Sequence, residues 1–354
     1  MKTAIIALTK GGSELAVKIG PHIGAHMYLK KEFILPDMKD AGNIFTIDNG
    51  LATLIKEVFH RYEALIFIMA CGIVVRIIAP YIGSKTTDPA VVVMDEKGKH
   101  IISLLSGHLG GANRMAERIA GVTGGTAVIT TATDINDIVA FDMFAIENNC
   151  SIENIHNLKY ISAELVNGGR IGLYTDCRLE GSMPGNIILS NDIEFSGQKD
   201  ITCRVILSSR TGIEPGEKRL LFVRPRNLVL GIGCRRHTSK KEIELAVQDF
   251  MKRNNRSHSS IKCLATIDLK KDEKGLLEFC EEHGLELKIV PREAIESMEG
   301  NFIHSDFVKE KVGVAGVAEP CAVIGSSGGR LIRGKTVYKG ITLALAEEEK
   351  VYRI

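Results

Sequence analysis

The chain has 354 residues, more than one hydrophobic core comfortably organises, so two or three domains are expected. Its 45% apolar and 25% charged content excludes disordered and fibrous classes. With 45 basic against 43 acidic side chains, it has no basic field of the kind that drives nucleic-acid or membrane-surface binding.

The run from Ala4 to Leu8 is too short for a secretory signal, and Lys10-Gly11-Gly12 follows it rather than a cleavage site. Thr3–Leu8 reads as a buried strand, and the two glycines turn the chain into a helix beginning near Ser13. Leu51, Leu54, Ile55, Val58 and Phe59 recur at helical spacing, the stripe of a half-buried helix. Ala64–Cys71 reads as a second buried strand running into a helix over Ile73–Ile78, which Pro80 ends. Ala90–Asp95 and His100–Ser106 flank Glu96-Lys97-Gly98-Lys99 as a hairpin. A helix is expected from about Gly111 to Ala120 and a strand over Thr126–Thr131. This alternation predicts a doubly wound α/β sheet in residues 1–137.

Residues 138–226 have a different texture. Asn167-Gly168-Gly169, the Gly181–Gly185 turn and Pro215-Gly216 separate short strands such as Ile201–Leu207, which predicts a small α+β middle module. A second α/β domain is expected over 227–354. Strand Leu228–Gly233 leads to Ser239 and Glu242, spaced as a capping box. The core stripe Ile243, Ala246, Val247, Phe250 and Met251 follows. Strands Cys263–Leu269 and Glu286–Val290 alternate with helices Gly275–His283 and Arg292–Met298. No apolar stretch approaches the roughly 20 residues that span a bilayer. The eight scattered cysteines, without a Cys-x-x-Cys pair, read as reduced thiols and point to the cytoplasm.

Chemistry concentrates in Leu104–Arg114. A strand ends, Gly107, Gly110 and Gly111 let the backbone approach a ligand, and a helix begins whose free N–H groups favour an anion. His108 carries the side chain type that exchanges protons near neutrality. The competing interpretation is a tight packing turn with a surface histidine. Arg76, Lys85 and Asp88 surround the preceding turn, although charged loop residues are often merely solvated. Thr130 to Asp134 ends the next strand with hydroxyls and a carboxylate, where Asp134 serves equally well as a helix cap.

In the last domain, Gly231-Ile232-Gly233-Cys234-Arg235-Arg236 lacks the third glycine of a dinucleotide fingerprint, so nicotinamide or flavin binding is disfavoured. The two glycines leave open a bed for another ligand's edge, with Arg235 and Arg236 available for its carboxylates. Gly325-Ser326-Ser327-Gly328-Gly329 matches the form of a nucleophile elbow, yet the sequence after it looks like a strand rather than a helix, which argues against a serine esterase. His22 and His26 have the four-residue spacing of a helical metal pair. Pro21 and Gly24 weaken that helix, and no third ligand is evident.

Several blocks resemble the cobalt-precorrin-5A hydrolase family, the G proteins of anaerobic cobalamin biosynthesis. They are Gly72–Arg76, Asp88–Val93, Leu104–Asn113, Val128–Asp134, Gly231–Arg236, Ile267–Glu273, Val317–Pro320 and Thr342–Ala346, in the family's order. The C-terminal domain also resembles a small standalone protein of the aerobic pathway. Arg114-Met115, His237 and Cys321 depart from the family pattern, which cautions against assigning roles to residues flanking the blocks.

The resemblance implies a cobalt-bearing tetrapyrrole substrate, whose δ-lactone is opened by water and whose C20 carbon leaves with its methyl as acetaldehyde. It implies no cofactor, since cobalt arrives with the substrate, and no partner beyond that substrate and transient contacts with neighbouring pathway enzymes. A non-catalytic corrinoid carrier or chaperone is the alternative, distinguished by whether acetaldehyde forms. Residue chemistry then suggests His108 for proton transfer and Asp88 or Glu319 as a second acid/base. The N–H groups of Gly110 and Gly111 are expected to bind an oxyanion or carboxylate. Arg76, Lys85, Arg235 and Lys270 are expected to hold peripheral carboxylates, with Ser106, Gly107, Asn113, Thr131, Gly231 and Gly233 lining the substrate.

Overall fold

A computed structural model describes residues 1–34, 43–84, 87–131, 138–193, 195, 200–212, 219–298 and 316–354. They form two compact units, Met1–Ile138 and Val139–Ile354.

The first unit is built on strands β1 (Thr3–Ala7), β2 (Ala25–Leu29), β3 (Ile44–Thr46), β4 (Ala64–Ile68), β5 (Ala90–Met94), β6 (His100–Leu105) and β7 (Thr126–Val128). Their spatial order is β3-β2-β1-β4-β5-β6-β7. The first five run parallel, β6 turns back antiparallel to β5, and β7 runs parallel to β6. The continuous apolar runs of β1, β4 and β5 follow from helices covering both faces. Helices α1 (Lys10–Ile23) and α4 (Ala112–Thr123) bury Ala16, Ile19, Ala116 and Ile119 against Ile5, Ile66 and Val92. On the other face α2 (Gly50–Val58) and α3 (Cys71–Ile78) bury Leu54, Ile55, Val58, Val74 and Ile78 against Ile6, Leu65 and Val93.

Two local expectations need correction. Gly11 and Gly12 lie inside the first turn of α1 rather than before it, because the Thr9 hydroxyl accepts from the Gly12 N–H at 3.1 Å and starts the helix earlier. Gly24, at φ 64°, ends that helix, so His22 belongs to its last turn while His26 lies on β2. The two imidazoles share no helix face.

The second unit contains two larger sheets. Strands β8 (Cys150–Ile152), β9 (Ile171–Thr175), β11 (Ile187–Ser190), β12 (Cys203–Leu207) and β13 (Arg219–Pro225) form the first, in the order β11-β9-β12-β13-β8. All pairings are parallel except that of β8. Helices α5 (Phe141–Glu147) and α6 (Leu158–Val166) accompany it. Strand β10 (Arg178–Glu180) instead pairs with β19 (Val351–Arg353), tying the chain's last residues to this module.

The other sheet has the order β16-β15-β14-β18-β17, from β14 (Leu228–Cys234), β15 (Ile261–Ile267), β16 (Glu286–Val290), β17 (Arg330–Tyr338) and β18 (Ile341–Glu347). Helix α7 (Lys240–Arg253) opens with the expected capping box and buries the five expected residues. Helix α8 (Lys274–His283) packs with α7 on one face, while α9 (Arg292–Glu296) and α10 (Ala318–Gly325) cover the other.

Arg224 anchors a cluster that joins the two sheets of this unit through Glu153 and Ser257. Its guanidinium is 3% exposed, donates to Glu153 at 2.8 Å, and reaches the carbonyls of Ser208 and Arg210 at 2.8 and 2.7 Å. Ser257, beside β15, donates to the other Glu153 oxygen. Removing one member of such a buried set strands the rest, so Arg224→Ala is expected to cost about 3 kcal/mol in denaturant unfolding. A loss under about 1 kcal/mol would place the group among ordinary surface pairs.

Among the described residues, no helix is long and apolar enough to cross a membrane.

Candidate functional site

Because β6 and β7 run against β1–β5, their carboxyl ends lie at the edge where β5 begins. Asp88, the loop Ser106–Gly111, Asn113 and Thr131 therefore share one sheet edge. The resulting β6–α4–β7 crossover places its βα loop where ligands are commonly bound in open α/β sheets.

Hydrogen bonds stitch this edge together. Ser106 adopts a left-handed φ of 57°, a conformation that costs a non-glycine residue about 1–2 kcal/mol. Its hydroxyl donates to the Asp88 carbonyl at 3.1 Å, tying the His108 loop to the preceding turn. Asp88 is buried, and both its carboxylate oxygens accept from the Gly83 N–H at 3.1 and 3.0 Å. Asn113, also buried, accepts from the Ser103 hydroxyl at 2.6 Å and donates to Thr131 at 3.3 Å. Gly107 lies so close that a Cβ there would meet the Asn113 Oδ1 at 2.7 Å, while one at Gly110 would meet the Ser106 carbonyl at 2.7 Å. His108 is half-buried within this loop.

The amide cradle is narrower than the sequence suggests. Gly111 donates to the His108 carbonyl at 2.9 Å, Ala112 to Ser106 at 3.2 Å and Asn113 to Gly107 at 3.0 Å. The expected donor role of Gly111 is thereby corrected, because the loop consumes that N–H itself. The Gly110 N–H donates to no atom among the described residues. Arg76 is exposed in the last turn of α3 and folds back onto the Gly72 carbonyl at 2.9 Å. Lys85 and Asp134 lie outside the described residues.

Of the residues expected from the last domain, Arg235 and Lys270 lie just beyond the carboxyl ends of β14 and β15. Lys270 lies 3.7 Å from Glu273, a carboxylate that the sequence did not single out. Glu273 is 4% exposed, accepts from the His237 N–H at 2.6 Å and also lies 3.7 Å from Arg236. Arg236 is held further by Asp272 and the Leu269 carbonyl. Arg235 is exposed, and its guanidinium has no hydrogen-bond or ion-pair partner among the described residues, leaving it as an uncommitted cation at this edge. Burial raises the neighbouring Cys234 thiol above its ordinary pKa, with Lys270 opposing, so a reactive thiolate is not formed there.

Gly231 and Gly233 lie within β14 rather than in the turn after it, which removes the dinucleotide fingerprint on position alone. A Cβ at Gly231 would overlap the Ala318 carbonyl and meet the Ala322 nitrogen at 2.7 Å, so this glycine is packing space for α10 and the ligand-bed expectation is corrected. Gly233 is looser, with Val317 at 3.6 Å from such a Cβ. Glu319 is buried, and one oxygen accepts from the Lys335 N–H at 2.8 Å where β17 bulges between Arg333 and Thr336. That bond gives Glu319 a structural task.

Ser327, the serine at the nucleophile position of the elbow-like motif, follows helix α10 and precedes strand β17, the reverse of a nucleophile elbow, while the Ser326 hydroxyl beside it donates to the Val323 carbonyl at 2.9 Å. Ser327→Ala is accordingly expected to leave turnover within about twofold of the parent, measured at saturating substrate; a loss near the 10²-fold typical of a missing catalytic group would reinstate the elbow. No group of three or more potential metal ligands occurs among the described residues.

Family models match the chain in three successive blocks. Residues 53–134 match the cobalamin synthesis G N-terminal model, 139–225 the cobalamin biosynthesis central region, and 228–346 the cobalamin synthesis G C-terminus. Over 354 aligned residues the chain is 32% identical to a cobalt-precorrin-5A hydrolase of Priestia megaterium, covering 97% of this chain and 94% of that protein. It is 33% identical to the cobalt-precorrin-5A hydrolase of Salmonella typhimurium, covering 97% and 96%. A solved structure of the cobalamin biosynthesis protein chiG from Agrobacterium tumefaciens aligns with 35% of this chain and 99% of its own, at 29% identity and a TM-score of 0.29.

Proposed function

The chain belongs to the cobalamin synthesis G family, and from that membership we propose that it is a cobalt-precorrin-5A hydrolase. Near-complete alignment with two hydrolases of that name, at 32% and 33% identity, is the observation that carries this reading. Water opens the δ-lactone of the cobalt-tetrapyrrole, and C20 then departs with its methyl as acetaldehyde, giving cobalt-precorrin-5B. The delocalised macrocycle accepts the electrons of carbon–carbon cleavage, and the cobalt is part of the substrate.

The reaction needs a proton acceptor for water, a donor for the developing oxyanion and cations for peripheral carboxylates. We assign proton transfer to His108 and secondary acid/base work to Asp88, the carboxylate whose turn is tied to the His108 loop. Asp88 is preferred over Glu319 because it shares the sheet edge of the His108 loop; both carboxylates accept a backbone N–H. The Gly110 N–H suits the oxyanion, because the three amides after it are already used. Arg76 and Arg235 suit carboxylates, being exposed and able to form forked bonds with them. Lys270 can add charge, although Glu273 offsets part of it.

Mixing the purified protein anaerobically with cobalt-precorrin-5A is expected to release one equivalent of acetaldehyde per substrate consumed, measured by trapping the aldehyde. Tight binding without acetaldehyde would replace the hydrolase with a corrinoid carrier.

A further inference from the structure

Away from the residues assigned to the reaction, a pocket of about 370 Å³ lies over β2 and β3, beside α2. Phe45, on the short edge strand β3, is 41% exposed and lines this pocket. Tyr28 stacks with it at 5.3 Å between centroids and 26° between planes, and His26 leans on it at 5.3 Å. An aromatic ring supported by its neighbours and open to a pocket makes a stacking platform.

A hydrogen-bonded chain forms the polar wall. His26 Nδ1 is 2.7 Å from the Tyr62 hydroxyl, which is 2.9 Å from the Tyr28 hydroxyl. Both tyrosines are buried, at 8% and 4% exposure. A neutral imidazole and two phenols supply three protons, and the two links use two of them. If Tyr28 donates to Tyr62 and Tyr62 to His26, the imidazole Nε2 keeps a proton to donate. If the chain runs the other way, Nε2 accepts instead. The wall is therefore best suited to an acceptor, because meeting a donor would leave the buried Tyr28 O–H proton without a partner in the chain.

The rim selects among planar ligands. Among the described lining residues, Asp48 and Glu57 supply two carboxylates against one cation, Arg61. Acceptors outnumber cations, which favours a ring bearing an amino group over one bearing only carbonyls.

We propose that this pocket binds a small amino-substituted planar heterocycle of the adenine type, stacked on Phe45, with its amine toward Asp48 and Glu57 and a ring nitrogen on the His26–Tyr62–Tyr28 chain. Calorimetric titration of the full-length chain with adenosine is expected to give saturable binding, and inosine, which carries a carbonyl in place of the amine, is expected to bind at least about tenfold more weakly. Phe45→Ala is expected to weaken adenosine roughly ten- to hundredfold, the usual loss for a removed base-stacking ring, with the melting temperature measured alongside to separate this from loss of the fold. Tyr62→Phe, which cuts the chain while retaining the ring, is expected to weaken adenosine as well. Absence of saturable heat, equal affinity for inosine, or undiminished binding by Phe45→Ala overturns the proposal, and none of these results bears on acetaldehyde release.

Discussion

Gly231→Val is expected to destabilise the second unit by about 3–5 kcal/mol, a large share of the stability of a typical domain. The added side chain has no free volume to enter. Its first carbon already overlaps the Ala318 carbonyl and presses on the Ala322 nitrogen, both of them backbone atoms of α10. A flexible side chain could rotate away from such a clash, whereas a helix backbone must move as a body. Movement is blocked because Ala318 and Ala322 pack on Ala344 and Ala346 of β18, all nearly inaccessible. At the far end of the helix, a Cβ on Gly325 would stand 2.8 Å from the Ala265 side chain. Small residues on both sides bring helix and sheet into backbone contact, which glycine alone permits at the tightest point.

Denaturant unfolding of Gly231→Ala and Gly231→Val measures this directly, with valine the worse of the pair. Unchanged midpoints for both would show that α10 does not rest on β14. A normal midpoint with lost substrate affinity would restore the idea that Gly231 borders the ligand.

The same contrast between local and distant causes explains what the sequence disclosed. The α7 capping box and its five buried residues depend on neighbours within four positions, and both match the structure. The β5–β6 hairpin was likewise legible from alternation around Glu96–Lys99, and Asp95 secures it by accepting from the Lys97, Lys99 and His100 N–H groups. The consequence of that hairpin is long-range: it reverses β6 and moves the His108 loop to the edge where β5 begins.

Gly231 shows the limit more sharply. A glycine after a strand and a glycine beneath a helix look alike in sequence, because the deciding residues, Ala318 and Ala322, lie some ninety positions later. Glu273 was hidden for a related reason. Its position before α8 resembles a solvated helix start, and only the fold brings His237, Arg236 and Lys270 around it. Ser103 carried one usable signal, a hydroxyl among apolar strand residues, without any indication that Asn113 was its partner.

His108→Ala is expected to lower turnover by about 10²- to 10⁴-fold while leaving substrate affinity within a few-fold, measured as acetaldehyde release and as binding of unreacted cobalt-precorrin-5A. The split between the two quantities follows from the layout proposed for the site. In that proposal peripheral carboxylates are left to cations such as Arg76, and loss of an imidazole leaves the cations intact. The loop backbone should also survive, since Gly107, Gly110, Ser106 and Asn113 hold it through contacts that do not use the His108 ring. A strained Ser106 kept in place by its bond to the Asp88 carbonyl presents the loop in one conformation, which is how a fold positions a proton-transfer group before substrate arrives. Ser106→Ala removes that tether and should reduce turnover less than loss of the imidazole does, because the acid/base group remains. If His108→Ala instead turns over near the parent rate while Asp88→Asn does not, proton transfer belongs to the carboxylate, and the histidine is only part of the loop's packing.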